Sequence, residues 1–129
     1  MIEELRLIEE VSAYVCLQAF EFANEINQNR ENPIVVSINI SALQIMNDNF
    51  VDNFKSLIKQ ANVNPNYIGI EITETVLMQN INENIKKIRE LKDLGITISL
   101  DDFGTGNNNM MAVDIFAPHI VKLDRSLIT

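Results

Sequence analysis

The chain has 129 residues, 47% of them apolar and 22% charged, a composition that fits a folded globular domain and excludes a disordered one. A net charge of −8 excludes a binder of duplex nucleic acid, which needs a basic footprint. No apolar run is long enough to span a membrane, the acidic N-terminus is unlike a signal peptide, and the single cysteine, Cys16, cannot form an internal disulfide. We therefore expect no membrane segment in this chain and a reducing, cytoplasmic setting, whether or not the parent protein is tethered to a membrane.

The first element is a helix from Glu3 to about Asn29, with Leu5, Ile8, Ser12, Val15, Ala19, Phe22 and Ile26 on its inward face. After an Asn-rich break containing Pro33, the β-branched run Ile34 to Ile40 reads as a buried strand. Ser41 can cap the helical stretch that follows, Ala42 to Ala61, expected in two pieces with Phe50, Phe54, Leu57 and Ile58 inward. A turn around Pro65 leads to a second strand, Tyr67 to Ile72. Thr73 or Thr75 can then cap a short turn. The next helix spans about Asn82 to Leu94 and ends at Gly95, where a helix-terminating glycine belongs. Ile96 to Leu100 is a third strand, Met110 to Phe116 a helix stopped by Pro118, and His119 to Leu123 a fourth strand. Strands alternating with helices predict an α/β fold with a parallel sheet.

Each strand ends on a polar residue: Asn39, then Glu71, then the pair Asp101 and Asp102, then Lys122 with Asp124 beyond it. The C-terminal ends of parallel strands share one edge, and ligands bind there. Oxygen donors without a histidine or cysteine cluster suit hard cations such as Mg²⁺ or Mn²⁺. Adjacent aspartates cannot share a side of a regular strand, but at a turning strand end each can serve a different ion. A two-ion centre clamps the attacking and leaving oxygens of a phosphate displacement, and a lysine beside it can position water or neutralise charge. Taken singly, each of these residues also fits a helix cap, a turn or a surface position. Glu74 in particular fits a helix cap, and His119 reads as structural.

The segments SINIS (37–41), EITETVLM (71–78), DDFGTG (101–106) and VKLDRSLI (121–128) together resemble the EAL domain, the bacterial cyclic di-GMP phosphodiesterase family. The resemblance implies a TIM-like (β/α) barrel that hydrolyses cyclic di-GMP to linear pGpG with two Mg²⁺ or Mn²⁺ ions. It implies Asn39, Glu71, Asp101 and Asp102 as metal ligands and Lys122 as the residue that holds the nucleophilic water. It further implies that Glu74 anchors the loop after Asp102. In that loop Asn107, Asn108 and Asn109 stand in place of the family's usual Tyr-Ser-Ser. The EAL tripeptide and the last strands, with a catalytic glutamate and a glutamine, are expected outside residues 1–129, so this is a partial EAL-like domain of about four strands. A complete barrel takes about 250 residues.

On this basis the chain is a fragment of a cyclic di-GMP phosphodiesterase, inactive in isolation. One alternative is a catalytically silent EAL-like module that binds cyclic di-GMP or a protein partner. Another is an unrelated metal-dependent barrel acting on a different phosphorylated substrate. The strands read as too apolar to face water on the barrel-interior side, and the sheet has two open edges, so the isolated chain is expected to pair as a homodimer.

Overall fold

A computed structural model describes residues 2–103 and 110–123. The chain runs α1 (Ile2–Ile26), β1 (Val36–Asn39), α2 (Ala42–Met46), α3 (Phe50–Ala61), a 3₁₀ turn (Pro65–Tyr67), β2 (Ile68–Thr73), α4 (Glu74–Met78), α5 (Ile81–Asp93), β3 (Thr97–Phe103), α6 (Met110–Phe116) and β4 (Ile120–Leu123). The strands form one parallel sheet in the order β1-β2-β3-β4. This is the expected α/β alternation.

Local chemistry sets the element ends. Ser41 and Gln44 form a reciprocal capping box at the start of α2: the Gln44 amide donates to Ser41 Oγ and the Ser41 amide donates to Gln44 Oε1. Thr73, rather than Thr75, caps α4 by accepting from the Val76 amide at 3.3 Å. Gly95, at φ 102°, closes α5. Its amide donates to the Lys92 carbonyl and that of Ile96 to the Leu91 carbonyl, while Leu91 and Ile96 are both fully buried. Asn62, at φ 52°, ends α3 in the same left-handed way.

The sheet has two unlike faces. Ile38, Ile68, Ile70, Ile72, Ile98 and Leu100 point to one side and are buried. Each fully buried isoleucine or leucine there contributes about 1.5–3 kcal/mol relative to exposure. Phe20 of α1 and Phe54 of α3 meet edge to face over this core at 5.4 Å between ring centroids. The opposite face carries Ser37, Asn39, Gly69, Glu71, Thr73, Thr97, Ser99 and Asp101. Contrary to the expectation of strands apolar on both sides, this second face is small and polar on β1, β2 and β3, while β4 sets Ile120 on it. The β-branched runs that read as continuously apolar hide an alternation of period two.

α1 forms as expected but presents a different face. Cys16, Phe20 and Ala23 are buried, whereas Val15 and Phe22, placed inward by spacing, are 46% and 52% exposed. Apolar residues cover more than one side of this helix, so periodicity alone does not select the buried stripe. Tertiary contacts select it. Asn27 clasps the strand entry, accepting from the Ile34 amide at 2.7 Å and donating to the Ile34 carbonyl at 2.9 Å. Asn24 donates to the Ala61 carbonyl at the end of α3.

Candidate functional site

The sheet register brings the polar strand ends together. Asn39 pairs with Glu71, Glu71 with Ser99, and Thr73 with Asp101, all on the face opposite the buried isoleucines. On β4, Val121 pairs with Leu100 and Leu123 with Phe103, so two residues of β3, Asp101 and Asp102, stand opposite the single residue Lys122. This is a β-bulge. The extra residue breaks the strict two-residue alternation of the strand where β3 meets Lys122. The sequence predicts a strand that ends at Leu100, with the backbone turning at the aspartates. The strand in fact continues through Phe103, and the bulge lies inside it.

Lys122 Nζ donates to Glu71 Oε1 in an ion pair. Glu71 is on β2 and Lys122 on β4, so the pair crosses over β3. The hydrogen bond that Lys122 donates to Glu71 holds the ammonium above lysine's ordinary pKa. Desolvation opposes the rise, and the charges of Glu71 and then Asp101 add to it. The Lys122 side chain is 47% exposed against 14% for Glu71, so the carboxylate is held and the ammonium reaches it from the open side.

Asp101 is partly buried and has an interaction partner in the protein, as does Glu74. Glu74 is 6% exposed at the first position of α4. The cap of that helix is Thr73, so the simple capping reading of Glu74 does not hold. His119 is structural, as expected: its Nδ1 accepts from the Ile98 amide at 2.9 Å while its own amide donates to the Ile98 carbonyl at 2.8 Å. The side chain of Asp102, Asp124 and the loop containing Asn107, Asn108 and Asn109 lie outside the described residues. Cys16 is 4% exposed, and burial pushes its thiol up to about 11. A groove of about 610 Å³ between α1, α2 and α3 is lined by residues such as Leu43, Met46 and Phe50 of the helical layer and by none of the strand-end residues.

Among the described residues no three histidine, cysteine, aspartate or glutamate side chains are grouped to hold a metal ion. What the described face offers is the amide of Asn39 and the carboxylates of Glu71 and Asp101. This all-oxygen set suits a hard divalent cation, and the Lys122 ammonium on Glu71 shows that the locus accepts positive charge. The residues present therefore fit such an ion, with Asp102 next in the chain.

The profile of the EAL domain family matches residues 1–129. The chain belongs to the EAL domain family. The signaling protein YkoW of Bacillus subtilis is 32% identical over 126 residues, covering 98% of this chain and 16% of YkoW. The cyclic di-GMP phosphodiesterase NbdA of Pseudomonas aeruginosa is 27% identical over 122 residues, covering 95% of this chain and 16% of NbdA. The solved structure of the PaMucR phosphodiesterase in complex with c-di-GMP superposes with a TM-score of 0.85 at 24% identity, over 98% of this chain and 51% of that one. The four strands are thus a (β/α) unit of the TIM-like EAL barrel. The chain spans about half of that solved chain and a smaller part of the two relatives.

Proposed function

We propose that this EAL domain binds cyclic di-GMP and, in the full-length protein, hydrolyses it to pGpG in the cytoplasm, the isolated chain being inactive. The observation that carries the reading is the convergence of Asn39, Glu71, Asp101 and Lys122 from four neighbouring strands onto one face, with Lys122 bonded to Glu71. Family membership and the similarity to NbdA support the substrate.

Asn39, Glu71, Asp101 and Asp102 would hold Mg²⁺ or Mn²⁺. Bound divalent cations would supply a Lewis acid for the phosphoryl oxygens and lower the pKa of water. Three of the proposed ligands are carboxylates, which repel one another until such charge is present. Lys122 meets that need in part through Glu71. With Glu71 engaged as a ligand, the Lys122 ammonium would be available to orient the attacking water or to meet a phosphate oxygen. Glu74, buried at the head of α4, would hold the loop beyond Asp102 in place.

The Lys122–Glu71 pair also favours a second reading. In a module that binds without turnover, the pair would persist and Lys122 would never reach a water. Incubating the full-length protein with cyclic di-GMP and Mn²⁺, with chromatographic detection of pGpG, separates the two. Hydrolysis that is lost in Asp101→Ala supports the enzyme. Nucleotide binding without hydrolysis supports the silent module. Activity only on another phosphodiester refutes both.

A further inference from the structure

Ser99 was not singled out from the sequence, where it is one small residue inside an apolar strand. In the structure it lies two residues before Asp101 on the same face of β3, in register with Glu71 on one side and Ile120 on the other. That face is otherwise partly open: Asn39, Ile120 and Lys122 are exposed. Yet Ser99 is only 1% exposed. The Lys122–Glu71 pair spans from β4 to β2 across the same strand. Among the described residues the Ser99 hydroxyl makes no hydrogen bond. Burying a hydroxyl without a partner is unfavourable, and a buried polar group left unsatisfied calls for an explanation such as a catalytic role or a bound ion.

We propose that Ser99 is a positioning residue for the candidate metal centre, its hydroxyl donating to the Glu71 carboxylate when a divalent cation draws that carboxylate away from Lys122. This rests on the reading of Glu71 as a metal ligand. A carboxylate accepts at about four lone-pair sites, so one oxygen can face the cation while another takes the Ser99 proton. Directly paired positions on neighbouring strands place the two side chains side by side, within reach of such a bond. The hydroxyl is neutral, so it orients Glu71 without competing with the cation for negative charge, as Lys122 does. Hydrogen bonds to ligating carboxylates set their direction and basicity.

The test is Mn²⁺ titration of the full-length protein, read by the electron paramagnetic resonance of free Mn²⁺, beside thermal melts without metal. Ser99→Ala should weaken Mn²⁺ binding about tenfold. It should leave the metal-free melting temperature unchanged or raised, because the hydroxyl removed has no partner in that state. Ser99→Thr, which keeps a hydroxyl, should restore the affinity. Wild-type affinity in Ser99→Ala overturns the proposal, as does a lowered metal-free melting temperature, which would assign the hydroxyl a purely structural role. Glu71→Gln is the control. If it binds Mn²⁺ as wild type does, the reading of the metal centre itself falls. If it loses binding while Ser99→Ala does not, only the role of Ser99 falls.

Discussion

At Gly69 the residues of β1 leave no room for a side chain, and replacing it tests how the strand contact holds the site. It pairs with Ser37, two positions before the pair Asn39 and Glu71 on the same face. A Cβ added at Gly69 would meet Ser37 Oγ at 2.5 Å, Val35 Cγ1 at 3.0 Å and the Thr97 carbonyl oxygen at 3.4 Å. The first distance forces Ser37 to turn away, the second forces Val35 to shift by a few tenths of an ångström, and the third is tolerable. Overpacking of this kind costs about 1–3 kcal/mol. With an unfolding entropy of about 2.1 cal/mol/K per residue, a chain of this length loses roughly 4 °C for each kcal/mol, so Gly69→Ala should melt about 4–11 °C below wild type. Because Ser37 Oγ makes the worst contact, Ser37→Gly should recover part of the loss. In a double-mutant cycle the two changes should couple favourably. Melts of the 129-residue chain and its three variants measure this directly. An unchanged melting temperature in Gly69→Ala, or strictly additive effects in the cycle, would refute the argument that Ser37 and Gly69 set the β1–β2 contact.

Three further outcomes are expected. Gly95→Ala should destabilise by about 1–3 kcal/mol in urea titration, because φ 102° is costly for any residue with a side chain and the new Cβ would lie 2.3 Å from Asn66 Oδ1; an unchanged midpoint would contradict this. Cys16 should react slowly with a thiol reagent at pH 8 in the native protein and rapidly in urea. Since its folded-state pKa is raised from 9.0 to about 11, its contribution to stability is intact below the unfolded-state value and is lost as pH rises through that window; equal native and unfolded rates would sink this account. The isolated chain should run as a homodimer in light scattering, because Val11, Val15 and Phe22 of α1 and Ile120 and Val121 at the β4 edge are large apolar residues left exposed; a stable monodisperse monomer would rule it out.

The sequence by itself determined the order of helices and strands, the caps at Ser41 and Gly95, and the polar residues toward the C-terminal end of each strand. These are local properties: side-chain period, capping chemistry and turn residues act over a few positions, so they can be read without knowing what lies across the fold. The family was legible for a related reason, since its segments are short runs in fixed order. Only the tertiary structure decided which stripe of α1 is buried, because apolar residues surround that helix and Asn27 and Asn24 choose among them through bonds to Ile34 and Ala61. Only the register between β3 and β4 showed that Asp101 and Asp102 stand together opposite Lys122, since a bulge is a mismatch between two strands and is written in neither alone. The same holds for the Lys122–Glu71 pair and the burial of Ser99. Their partners lie far apart in the chain and meet only when the parallel strands are laid side by side.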